Sequence, residues 1–144
     1  MKRDPNLQPL SREHHFVLAQ ARAIRWALSG REGTPLAARN AFLLLWNDLI
    51  VRHFVAEERW ILPLIERAED VERMRHEHAN LRGIADELAR EGTRAEPDPE
   101  RLRRLADALD DHVRWEEREL FPAIEAGVSP ERLREAGEGL AGGA

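Results

Sequence analysis

Two histidine–glutamate pairs stand four residues apart in this chain, His53 with Glu57 and His112 with Glu116. Residues at that spacing share one side of a helix, so each pair can present an imidazole nitrogen and a carboxylate oxygen to the same point. Both pairs fall on apolar lines: Leu49, Ile50, Trp60 and Leu64 around the first, Leu105, Leu109 and Leu120 around the second. A carboxylate carried into a core loses its hydration and has to be paired or coordinated. No arginine shares these lines; Arg25 and Arg82 stand only near their edges. Two further histidines keep phase with apolar stripes, His14 with Val17, Leu18 and Ala21, and His78 with Met74, Leu81 and Ala85. Imidazole and carboxylate without thiolate suit iron, manganese or zinc. A pair of ions sharing bridging carboxylates is the usual way a helical bundle accommodates such a set.

Neighbouring residues offer alternatives. His15 competes with His14, lining up with Leu18, Arg22 and Trp26, and Glu117 competes with Glu116 as the inward carboxylate. Glu58 and Glu117 otherwise read as solvated or paired with nearby arginines, and His76, two positions from His78, reads as a surface residue. Pro63 and Pro122 follow the two pairs at equal distance and are expected to kink or end their helices, because proline cannot donate a backbone hydrogen bond. Trp26, Trp46, Trp60 and Trp115 read as packing residues, and Met74 is expected to line a small-ligand pocket beside His78.

Four long helices must position these side chains. Helix 1 is expected from a Ser11 cap to Ser29-Gly30, and helix 2 from Thr34-Pro35 to Pro63. Helix 3 is expected from an Asp70 cap to Glu91-Gly92. Helix 4 follows Asp98-Pro99-Glu100 and runs to Pro122. Ser129-Pro130-Glu131 can cap a short fifth helix. No segment alternates with the period of two that marks a strand. Loops this short make sequential helices antiparallel neighbours, so the expected fold is all-α, an up-down-up-down antiparallel four-helix bundle with a short C-terminal helix. The whole of residues 1–144 reads as one domain, with the bundle over about 10–126 and a short helix plus flexible tail over 127–144.

The chain also repeats itself. The segments from His53 and from His112 both read H-x-x-x-E-E-R-x-x-x-P-x-I-E, and the pair Glu-His recurs at Glu13-His14 and Glu77-His78. Taken together, these motifs resemble the hemerythrin-like, or HHE cation-binding, domains, over nearly the whole chain. That resemblance implies a non-haem di-iron centre, oxo- or hydroxo-bridged, held by His14, His53, Glu57, His78, His112 and Glu116, with manganese or zinc as alternative ions. It also implies binding or sensing of a small oxidant such as dioxygen, nitric oxide or peroxide, or sensing of iron itself. The sequence departs from the oxygen-carrying members on helix 3. Those carry two histidines four apart, whereas Met74 and Arg82 stand one turn from His78 here.

Composition narrows the field further. The 144 residues include no cysteine, which removes disulfide scaffolds and thiolate metal sites. The formal net charge of -5 gives a nucleic-acid role no support. Lys2 is the sole lysine, and the arginines interleave with acids in the manner of solvated helix faces. No apolar run is long enough for a secretion signal or a membrane span, so a cytoplasmic location is expected. Two rival readings remain at this level. One is a di-iron enzyme that turns over peroxide or nitric oxide; the other is a metal-free helical interaction module.

Overall fold

The computed structural model describes residues 2–142. Among these residues there are five helical rods and no strand. The first is α1, Gln8–Ser29. The second, over residues 35–64, is not one continuous α-helix: α2 (Pro35–Leu45) and α3 (Val51–Ala56) alternate with π-helical turns at Trp46–Ile50 and Glu57–Ile61 and end in a 3-10 turn, Leu62–Leu64. The third is α4, Ala68–Glu91. The fourth joins α5 (Pro99–Trp115), a π turn at Glu116–Leu120 and α6 (Phe121–Gly127). The last rod is α7, Pro130–Ala141.

Local chemistry accounts for most of the boundaries. Thr34 caps α2 by accepting from the Ala37 N–H at 3.2 Å, with Pro35 next to it. Asp98 and Ser129 cap α5 and α7 in the same way, each again followed by proline. Gly30 closes α1 in the left-handed conformation, φ +77°, which a side chain would resist. Two expected caps were misplaced. Helix α1 begins at Gln8, so Ser11 is already inside it and gives its hydroxyl proton to Glu117 instead, at 2.7 Å. Helix α4 begins at Ala68, which leaves Asp70 in the first turn, where its charge meets the positive end of the helix dipole.

The prolines behave differently from one another. Pro63 lies in the 3-10 turn that ends the second rod. Pro122 does not end the fourth rod, which continues to Gly127. In both places the preceding turn bonds five residues apart, Leu62 N–H to the Glu57 carbonyl and Phe121 N–H to the Glu116 carbonyl. Such π turns recur at functional sites. They also shift the apolar register, so that Ile50 and Ile61 are fully buried while Leu49 and Trp60 are only partly so.

The core forms two clusters. One contains Ile24, Phe42, Ile50, Phe54, Leu105 and Val113; the other contains Leu10, Ile61, Met74, Trp115, Leu120 and Phe121. Each of the first four rods passes from one cluster to the other next to a polar residue picked out above: His14, Glu57, His78 and Glu116. Helix α1 packs on α2 and α5, and α4 packs on α5. Arg39 departs from the solvated-arginine pattern: it is fully buried and bonds Glu91 and the Ala95 carbonyl at 3.1 and 2.7 Å. No helix among the described residues is long and apolar enough to cross a membrane.

The expected short C-terminal helix is present as α7. Helix α7 runs through Gly137 and Gly139 and buries Leu133 and Ala136; the tail at Gly143 and Ala144 lies outside the described residues. A Cβ at Gly139 would run into the Trp60 ring. Gly139→Ala is therefore expected to destabilise the fold by about 1–3 kcal/mol through overpacking, although alanine is the better helix former by about 1 kcal/mol. A urea midpoint that rises instead would show that α7 does not rest on Trp60.

Candidate metal centre

Four histidines and two glutamates converge where the two apolar clusters meet. His14, His53, His78, His112, Glu57 and Glu116 are all buried, the two glutamates completely. Ligand atoms of His14, His53, Glu57 and Glu116 lie within 4.8 Å of one another, and so do those of His78, His112, Glu57 and Glu116. The two quartets share both carboxylates. Glu57 divides its oxygens between them, with Oε2 3.2 Å from His53 Nε2 and Oε1 3.1 Å from His78 Nε2. Glu116 Oε1 stands 3.0 Å from His14 Nε2 and 3.5 Å from His112 Nε2.

Of these contacts, His78 Nε2 to Glu57 Oε1 is a hydrogen bond, and the others are proximity without one. Despite these distances, Nε2 of His14, His53 and His112, Oε2 of Glu57 and both oxygens of Glu116 are buried without a hydrogen-bond partner. In a metal-free core these six atoms have charge attraction but no hydrogen bond to offset their lost hydration. A cation contacting them offsets that loss. The donor set, nitrogen and oxygen without sulfur, fits a divalent transition metal.

The remaining ring nitrogens explain why Nε2 points inward. Every Nδ1 donates to a carboxylate from a neighbouring rod: His53 to Glu13 at 2.8 Å, His78 to Glu58 at 2.6 Å, His112 to Glu77 at 2.7 Å and His14 to Glu117 at 2.6 Å. A proton held at Nδ1 leaves the Nε2 lone pair free, the tautomer a metal ligand needs. The four contacts run in a closed ring from rod one to two, two to three, three to four and four to one. Glu13 and Glu77 were given no role from the sequence. The signal was present in the repeated Glu-His pair, since a buried histidine needs an acceptor for its second nitrogen. Rings also pack on rings: Phe54 stacks on His78 with centroids 3.9 Å apart, and Phe121 stacks on His14.

The alternative residues lie at different positions. His15 and His76 are exposed and outside the cluster. Glu117 faces His14 Nδ1, not the centre, and also meets Arg3. Glu58 likewise holds His78 and pairs with Arg82, which therefore reaches the outer shell only. Arg25 pairs with Asp107 and Asp110 at the surface. Met74 is buried one turn from His78, within the second apolar cluster.

Electrostatics couple the groups tightly. Burial opposes a charged imidazole at His53, but the Glu57 carboxylate and the bond to Glu13 outweigh it and push the ring up to about 10. His112 is likewise pushed up to about 10, with burial overcome by Glu116, Glu57 and Glu77. Glu57 is held well below the usual carboxylate range despite its burial, chiefly by His53. Glu116 is raised, by burial and then by the Glu57 charge. Glu117 falls to about 2: burial is outweighed by the bonds to His14 and Ser11.

Comparison with known proteins agrees with this geometry. Residues 7–124 match the family model of the hemerythrin HHE cation binding domain. A curated protein of Nostoc sp. (strain PCC 7120 / SAG 25.82 / UTEX 2576), named DNA nickase, is 26% identical over 137 residues, which cover 93% of this chain and 38% of that protein. The chain thus spans well under half the length of this relative. No solved structure matches it.

Proposed function

Because the chain belongs to the hemerythrin HHE cation-binding domain family, we propose that it binds two iron ions and uses them to bind or sense a small oxidant. The observation that carries this reading is the set of buried, partnerless Nε2 and carboxylate atoms meeting at one point. In this reading residues 8–127 form an up-down-up-down antiparallel four-helix bundle, and the described chain is one domain. His14 and His53 would hold one ion and His78 and His112 the other, with Glu57 and Glu116 as oxygen donors within reach of both. Counting each carboxylate twice gives about eight protein bonds for two ions that together take about twelve. Bound iron would supply the redox chemistry and an open position for dioxygen, nitric oxide or peroxide. The protein's own residues do the rest. The outer glutamates fix the imidazole tautomers, and Phe54 and Phe121 keep water from the rings of His78 and His14. The acidic balance of the chain favours this small ligand over nucleic acid, and we take the site of action to be the cytoplasm.

The test is direct. Protein purified without added metal, then reconstituted with ferrous iron under exclusion of air, is expected to retain about two irons per chain. Its absorption spectrum is expected to change on admitting air, nitric oxide or peroxide. A chain that keeps no iron after reconstitution sinks the proposal; one that keeps iron but shows no spectral response to any of the three ligands sinks the sensing part alone.

The outer carboxylates give a second check. Glu13→Ala and Glu77→Ala are each expected to weaken metal binding about 10- to 100-fold, since the released ring can turn or switch tautomer. Competition against a chelator reads this. An unchanged affinity in both variants would remove the orienting role.

A further inference from the structure

We propose that the chain associates with a second copy of itself through the outward face of the second rod, centred on Asp48, Val51 and Arg52. Buried residues define the inward line of that rod: Phe42, Trp46, Ile50, Phe54, Glu57 and Ile61, steps of about four residues. The opposite face must advance at the same pace, and it does: Leu44, Asp48, Arg52 and Val55 are exposed, with Val51 beside them. The exposed large apolar side chains of the described residues are Leu44 at 67%, Val55 at 48%, Val51 at 36% and Phe16 at 60%. Three of these four occupy this one face. The fourth lies on α1, which packs against the same rod. Apolar groups scattered over a surface need no explanation, but a row at helical spacing does.

Charge identifies the occupant. Among the described residues, neither the Asp48 carboxylate nor the Arg52 guanidinium has an ion-pair partner; Arg52 only turns back to donate to the Asp48 backbone carbonyl. Running along the rod, the face reads apolar, acid, base, apolar. Laid antiparallel on a copy of itself about a two-fold axis near residue 50, Leu44 meets Val55 of the second copy, and Asp48 meets its Arg52. Symmetry then repeats both contacts in reverse, and Val51 packs at the axis. A two-fold interface has to be self-complementary in this way. A parallel arrangement would set like charges opposite each other.

The metal-loaded chain should be followed by sedimentation or light scattering from about 1 to about 500 µM, the range of a small, single-helix interface. The expected result is a rise from monomer to dimer mass. Val51→Asp is expected to weaken dimerisation by tenfold or more, roughly the loss of a central contact. Asp48→Arg and Arg52→Asp should each weaken it similarly by opposing like charges, while the double exchange restores it. Helix content by circular dichroism and metal content are expected to stay at wild-type levels in all four variants, because none of these side chains enters the core. A wild-type chain that remains monomeric throughout the range overturns the proposal. So does a dimer that the single exchanges leave intact, or a double exchange no better than either single one.

Discussion

Changing Glu57 and Glu116 together to glutamine is expected to abolish binding of the two proposed metal ions while leaving the helices in place. Each of these carboxylates faces both histidine pairs, Glu57 with one oxygen for each and Glu116 through Oε1. No other acidic side chain among the described residues takes part in either quartet. Glutamine keeps the volume but removes the two negative charges that offset the cations, and an amide bridges metals poorly. Metal content after reconstitution should fall from about two ions per chain to a small fraction of one. Folding should survive, because without the two carboxylates His53 and His112 lose the charges that hold them protonated and can stay neutral in the core, each still bonded through Nδ1. Circular dichroism supplies the control. Retention of both ions by the double variant would mean that the carboxylates are structural and that the donor set has been misread.

The second large effect concerns acidity, and its sign differs between the loaded and the chelated protein. In the chelated chain His53 and His112 hold protons up to about pH 10. Metal binding at Nε2 must displace those two protons. Affinity should therefore fall about tenfold for each ion per pH unit lost below that range, one displaced proton each, and about a hundredfold for the pair. Stability of the chelated chain runs the other way. A histidine whose folded value is raised stabilises the fold fully below its unfolded value of 6.5 and loses that contribution as pH rises through about 10. Unfolding midpoints measured with and without chelator should thus draw apart between pH 6.5 and 10. At neutral pH and a thousandfold excess of metal over its dissociation constant, each ion adds about 4 kcal/mol. For a chain of this size that is a rise of roughly 8–16 °C per ion. Midpoints that stay parallel across this range would contradict histidine ligation.

Much of this centre could be read from one dimension. The phase of His53, Glu57, His112 and Glu116 within their apolar lines is a property of each helix taken singly, and the structure brings all four to the centre. Phase also favoured His14 over His15, because one position along a helix is a turn of about 100°. Helix ends were legible where proline and a capping side chain coincide, as at Thr34-Pro35, Asp98-Pro99 and Ser129-Pro130. They were misread at Ser11 and Asp70, where an apparent cap serves another purpose one turn inside the helix. Nor does periodicity reveal a π turn, since the extra residue is accommodated by bonding that no residue type demands.

What lay beyond the sequence has one physical character: it depends on the distance between rods. Glu13, Glu58, Glu77 and Glu117 look like ordinary surface acids in their own helices, and each acquires its role only because a histidine of the neighbouring rod stops 2.6–2.8 Å away. Arg39 similarly looked solvated until Glu91 and the Ala95 carbonyl closed over it. Periodicity along a helix reports which side is wet and which is dry. So the lines on which the inward donors stand were decided by order of residues alone, whereas the placing of His15 and Glu117 outside the cluster, the ring of outer carboxylates, the inward Nε2 atoms and the sharing of Glu57 between two quartets required the rods to be packed together.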